Sequence, residues 1–230
     1  MIRSIFATLA TFVAVTSVSA QGCKTTGVGD PCIPEAEFDQ NFSGFDPGEV
    51  NVESKSFQCL TRLCLVNHFR GRVTCPYGQD QSGTSLPSSD GAIGGSFPGQ
   101  DKEGNAYDRC LIPGGNDPTD PSQVINGAPG DPNGALVHPQ CVDREAANTV
   151  YCSCRCANAD GKTDDGANYC TCPDGFSCTQ LVPPVGQGDQ GLTGAFCIKQ
   201  GTDYQAIDAC ETPCDPNAGG TQDCAPPPIQ

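Results

Sequence analysis

The stretch Cys152-Ser-Cys154-Arg-Cys156, followed after residues 157–168 by Tyr169-Cys170-Thr-Cys172-Pro-Asp-Gly175-Phe176-Ser-Cys178, decides how this chain folds. In an extended strand, side chains at i, i+2 and i+4 share one face. Cys152, Cys154 and Cys156 are therefore expected to point the same way, and Cys170 and Cys172 to share one face of a second strand. Residues 157–168 carry Asp160-Gly161 and Asp165-Gly166, the turn chemistry of a hairpin connecting the two. A strand over residues 195–199, containing Cys197, completes a small sheet.

Working outward, the chain has 17 cysteines, and the first, Cys23, lies just past an apolar leader. The leader has one charge, Arg3, then an apolar stretch over residues 5–18 and the small-residue end Val18-Ser19-Ala20, the pattern of a secretory signal peptide over residues 1–22. Two cleavages are open. One follows Ala20 and frees a soluble chain; the other uses Ala20-Gln21-Gly22-Cys23, which resembles a bacterial lipoprotein box and makes Cys23 a lipidation site. Setting Cys23 aside leaves an even sixteen: Cys32, Cys59, Cys64, Cys75, Cys110, Cys141, Cys152, Cys154, Cys156, Cys170, Cys172, Cys178, Cys197, Cys210, Cys214 and Cys224. An even set behind a leader reads as a disulfide framework in an oxidising compartment.

Composition says why such a framework is needed. Leu, Ile, Val and Phe together make 42 of 230 residues, about 18 %, and the formal net charge is −15, with no Trp. That balance falls in the range where hydrophobic burial fails to offset conformational entropy. Cross-links are the remaining source of stability, at about 2–5 kcal/mol each in small secreted domains. With 12 Lys plus Arg against 27 Asp plus Glu, the chain has nothing to neutralise rows of phosphates, which excludes nucleic acid as a partner. A membrane is reached only through a lipid on Cys23, and the partner expected is a protein or surface of unknown identity.

The fold class expected is small and disulfide-rich: short β-hairpins, long irregular Gly/Pro-rich loops and little helix. Residues 23–78 form an N-terminal cysteine-containing module, with strands over 49–54 and 63–74. Residues 79–140 hold 11 Gly and 8 Pro and read as an acidic loop region tethered midway by Cys110. Residues 141–200 are the cysteine-rich hairpin module, and 201–230 a cysteine-containing tail. Helix is confined to a turn or two over 144–148 and over 203–209, the latter capped by Thr202.

The run Cys170-Thr-Cys172-Pro-Asp-Gly175-Phe176-Ser-Cys178 resembles the second half of an EGF-type module, where C-x-C precedes Gly-aromatic. The resemblance implies a disulfide-linked hairpin; Cys178 follows Phe176 too closely for the family's final cysteine, so its pairing scheme is not carried over. The whole arrangement is similar to cysteine-rich surface proteins of myxobacterial type, a resemblance that bears on origin; the leader, with or without a lipid on Cys23, leads to an extracellular or outer-membrane, cell-surface location.

The chemistry-bearing candidates are few. Cys152, Cys154, Cys156, Cys170 and Cys172 also resemble a metallothionein-like thiolate cluster suited to Zn²⁺ or Cu⁺, against which export favours disulfides. The acidic turn around Asn158, Asp160, Asp164 and Asp165 offers oxygen ligands for weak Ca²⁺ binding but lacks EF-hand spacing. Two histidines, His68 and His138, and the absence of Gly-x-Ser-x-Gly or HExxH leave no catalytic constellation and no cofactor motif. Asn41-Phe42-Ser43 is an N-glycosylation triplet. The resulting expectation is a non-enzymatic, exported structural or binding protein. Its alternatives are a protease inhibitor acting through the loop at 181–192, between Cys178 and Cys197, and a thiolate metal-binding protein.

Overall fold

The computed structural model describes residues 27–79, 110–117, 120–125, 136–182 and 193–205, with residues 210, 212 and 214. Two three-stranded antiparallel sheets carry the fold. The first is ordered β1 (Val50–Glu53), β2 (Cys64–Asn67), β3 (Val150–Cys152), and the second β4 (Arg155–Ala157), β6 (Gly194–Lys199), β5 (Phe176–Val182). Among the described residues helix amounts to 3₁₀ turns at Glu35–Phe38 and Val142–Arg144 and one α turn, α1 (Ala146–Thr149). The small disulfide-rich class with little helix is what the structure has.

Alternation on β2 and β3 joins the two sheets. Leu65 and Tyr151 are register partners and share one cluster with Phe196 and Ile198 of β6. Cys64, Val66, Val150 and Cys152 pack on the other side with Cys32, Cys59, Phe45 and Phe69. The Tyr151 hydroxyl accepts from the Lys199 amide at 2.9 Å, and Ser153 Oγ donates to the Cys197 carbonyl at 2.7 Å. Three of the four core clusters contain cysteine, so sulfur fills volume that Leu or Ile would occupy elsewhere.

Several expectations change. The strand over 63–74 is only Cys64–Asn67, because His68 takes a left-handed φ of 52° and ends the extension. The chain then turns back through Gly71, where a Cβ would lie 2.3 Å from the His138 carbonyl oxygen. The central hairpin is also overturned. Residues 153 and 154 leave extended pairing, β3 joins the first sheet and β4 the second, and residues 169–172 form no strand. Residues 169–172 keep one backbone bond to β4, from Cys170 N to the Arg155 carbonyl at 3.0 Å, and are otherwise held by the bridges of Cys170 and Cys172. β4 instead pairs with β6, and β6 with the longest strand, β5, which the cysteine spacing did not suggest. The Thr202 hydroxyl donates to the Lys199 carbonyl at 2.7 Å and residues 203–205 are irregular, while 206–209, the rest of the expected helical turn, lie outside the described residues.

Seven disulfides are described: Cys32–Cys64, Cys59–Cys152, Cys75–Cys110, Cys141–Cys210, Cys154–Cys170, Cys156–Cys178 and Cys172–Cys197. Cys214 is disulfide-bonded as well. Cys23 and the residues before it, Cys224 and most of 79–140 lie outside the described residues. What is described of that Gly/Pro-rich region closes on itself through Leu111↔Val124 and Gln79↔Val137 pairing, with Ile125 and Val137 fully buried beside the expected tether at Cys110.

Irregular backbone leaves carbonyls that no ladder satisfies, and each must find a donor. Two arginines supply them. Arg72, fully buried, donates to the carbonyls of Phe42 (2.8 Å), Asp39 (3.2 Å) and Glu37. Arg144, 3 % exposed, donates to Asn67 (2.8 Å), His68 (2.5 Å) and Thr202 (3.3 Å). The Glu37 carboxylate faces Arg72 at 4.0 Å and accepts from Val73 N (2.5 Å), Thr74 N (3.0 Å) and Thr74 Oγ1 (2.8 Å). Removing one member strands a buried charge. Arg72→Met is expected to cost about 3–5 kcal/mol in guanidinium unfolding with the bridges intact, whereas Lys162→Met on the exposed turn costs under about 0.5 kcal/mol. Equal, small losses would contradict the stapling role.

Candidate functional site

Between β1 and β2, residues 54–62 form a loop tied down at three points. Cys59 is bonded to Cys152 of β3. The Gln58 side chain brackets one residue of the N-terminal segment, accepting from Ile33 N at 3.0 Å and donating to the Ile33 carbonyl at 2.7 Å. Ser56 N donates to the Arg62 carbonyl and Arg62 N to the Cys59 carbonyl, with Arg62 at φ 62°. So held, the loop turns Phe57 and Leu60 outward, 86 % and 75 % exposed. In a chain this short of large apolar residues, two held in solvent on one pinned loop form a feature that the core does not use. The Arg62 guanidinium lies 4.3 Å from the centre of the Phe57 ring. Among the described residues three cations are exposed, and two of them, Lys55 and Arg62, are in this loop.

The loop forms one wall of a cleft of about 450 Å³. Thr61 and Arg62 line it from the loop; Arg155, Tyr169 and the Cys154–Cys170 bridge line it from the arm that carries residues 157–169. Arg155 sits 5.3 Å over the Tyr169 ring, and its Nε is buried without a hydrogen-bond partner, as is Thr61 Oγ1. The arm is closed by its own polar groups. Asn158 Oδ1 accepts from Asp160 N and Lys162 N, and its amide donates to Asp165 Oδ2. Asp165 also accepts from the Tyr169 hydroxyl at 2.6 Å and from Ala167 N at 3.1 Å. Those bonds, the Tyr169 hydroxyl foremost, hold the Asp165 carboxyl down to about 2. The acidic turn thus engages Asp165 in its own closure, and the sets of three potential metal-ligand groups gathered among the described residues are all cysteines.

The six cysteines of two of those sets form a sulfur cluster on the second sheet; the bridge Cys156–Cys178 crosses both Cys154–Cys170 and Cys172–Cys197 in sequence, and those two follow one another along the chain. Cys197 Sγ lies 3.7 Å from both Cys154 Sγ and Cys170 Sγ. Cys152, expected on the same face as Cys154 and Cys156, is parted from them by the break at residues 153 and 154 and belongs to the other cluster, with Cys59 and Cys32. The five sulfurs of the metallothionein-like pattern are consumed in bridges, and a disulfide offers no thiolate to Zn²⁺ or Cu⁺.

His68 has a structural setting. Its Nδ1 is 2.9 Å from the Pro47 carbonyl, and its ring stacks on Tyr204 at 3.9 Å. Burial lowers its pKa below the ordinary histidine value, with the Pro47 contact opposing. The inhibitor-loop reading over 181–192 falls largely outside the described residues, since Leu181 and Val182 end β5 and 183–192 are not described. Sequence reasoning missed the 54–62 loop, although Phe57-Gln-Cys59-Leu60 places two large apolar residues around a cysteine. It also missed Arg62 and Arg155, which only the fold brings together. No protein-family description, curated protein or solved structure matches this chain.

Because Asp165 has its pKa depressed in the folded arm, its contribution is fully present above its ordinary value of 3.8 and is lost as pH falls through about 2. Carboxyl ¹³C shifts followed against pH are expected to place Asp165 near 2, and Tyr169→Phe to move it back towards 3.8. Titration at the ordinary value in both proteins would contradict this closure.

Proposed function

We propose that the protein is exported and acts, without catalysis, as an extracellular or cell-surface structural and binding module. Support for export comes from the leader and from fifteen bonded cysteines, the fourteen of the seven bridges and Cys214, a state that persists in oxidising compartments. The mature chain either is released or is held at the membrane by a lipid on Cys23.

The observation that carries the binding role is the pinned loop presenting Phe57 and Leu60 beside Lys55 and Arg62. Pre-organisation lowers the ordering cost of association, and an aromatic anchor beside an Arg is the composition of an interface hot spot. The rest of the chain is strongly acidic, so these two cations favour a partner face that is apolar at its centre and acidic at its rim. Fluorescently labelled full chain is expected to be retained saturably on intact cells of the producing organism. Phe57→Ser with Leu60→Ser should weaken that retention by at least about 30-fold, the loss of one hot spot. Retention that does not saturate, or that survives the double substitution, would overturn the reading.

A further inference from the structure

The seven described bridges are unequally protected. Three have both cysteines buried, and three others have one buried half, joined to a half-buried Cys210 in Cys141–Cys210, a half-buried Cys172 in Cys172–Cys197 and an exposed Cys178, which lines no part of the cleft, in Cys156–Cys178. Cys154–Cys170 alone has no buried half, and it lines the cleft shared by Arg62 and Arg155. Disulfides are opened by thiolates, and access together with a well-stabilised leaving thiolate decides which bridge opens first. Nearby guanidiniums stabilise a thiolate and draw in an anionic attacker. Asp165, held ionised by its bonds from Tyr169, Asn158 and Ala167, offsets part of the Arg155 charge, and the exposed Arg62 guanidinium adds to what remains. The chain as a whole is strongly acidic, so a reagent of that charge is concentrated in the cleft that both arginines line.

We propose that Cys154–Cys170 is a thiol–disulfide exchange site for small anionic thiols, which become attached to one sulfur of the pair and set Cys172 free. An incoming thiolate attacks Cys154 Sγ and forms a mixed disulfide; the Cys154–Cys170 bond breaks and its electron pair stays on Cys170 Sγ. That thiolate lies 3.7 Å from Cys197 Sγ. It attacks there, forming Cys170–Cys197 and breaking Cys172–Cys197, and Cys172 leaves as a thiolate that takes a proton from water. Attack on Cys170 gives the mirror outcome, because Cys154 Sγ is also 3.7 Å from Cys197 Sγ. Two disulfides are present before and two after, so no oxidant is consumed. The modification is stoichiometric, one thiol per chain, and it goes beyond the binding role of the neighbouring loop and does not depend on it.

The test uses the native full chain with one equivalent of 3-mercaptopropionate, 2-mercaptoethanol or cysteamine at low ionic strength, iodoacetamide trapping and disulfide mapping by mass spectrometry. The adduct is expected on Cys154 or Cys170 and the alkyl group on Cys172. Per unit of thiolate, 3-mercaptopropionate should react at least about fivefold faster than cysteamine. That preference should disappear in about 1 M salt and in the Arg62→Gln, Arg155→Gln double variant; the salt series reads the charge effect without any substitution. A first adduct on Cys178 or Cys210, alkylation at a cysteine other than Cys172, or rates that ignore the charge of the thiol would each overturn the proposal.

Discussion

The covalent sulfur–sulfur link is the constraint on which everything else in this molecule depends. The described strands run from three to seven residues and the apolar clusters are small, so neither ladder bonds nor burial fixes the relation between distant segments. The bridges do. Cys59–Cys152 spans 93 residues and anchors the 54–62 loop to the middle of the chain, and Cys141–Cys210 spans 69. By loop-closure reasoning a cross-link over about 100 residues removes roughly 4.7 kcal/mol of denatured-state entropy. Nested and crossed bridges share that entropy, so the contributions do not add.

A cross-linked fold of this kind still has to satisfy its backbone, and here it departs from an ordinary β protein. Buried Arg72 and Arg144 donate to six carbonyls, five of them outside the two sheets and the sixth, Asn67, at the end of β2. Glu37 does the reverse, accepting from the amides of Val73 and Thr74. These side chains serve where a regular element would serve elsewhere. Their burial is tolerable because each charge meets several partners in fixed geometry.

Much of this architecture was legible in the residues. Cysteine parity, the poverty in Leu, Ile, Val and Phe, and the scarcity of helix patterns all lead to a small disulfide-rich fold, and strands lie around Val50, where alternation places one, around Leu65, in an apolar-rich run, and around Phe196, beside Cys197. What escaped was non-local. The reading that put Cys152, Cys154 and Cys156 on one strand assumed a single sheet through Ser153, whereas Ser153 N still donates to the Leu63 carbonyl while the Cys154 carbonyl already accepts from Cys197 N, so the flanking strands join different sheets. β5 escaped because Phe176, Ser177, Cys178, Thr179 and Gln180 show no apolar period, being half-buried or exposed throughout. Arg62 and Arg155 are 93 positions apart and meet only once both sheets are built. The buried roles of Arg72 and Glu37 leave no trace in a local pattern, since isolated charges read as surface.

The function we favour follows from the same physics. A scaffold that holds its shape by covalent links can expose apolar side chains on a loop without collapsing around them, and can place a half-exposed bridge beside two arginines. The most direct test of the central claim is backbone amide hydrogen exchange on β2 and β6 before and after all bridges are reduced and the thiols blocked. The account predicts protected amides in the native protein and loss of that protection on reduction; retained protection after complete reduction would contradict it.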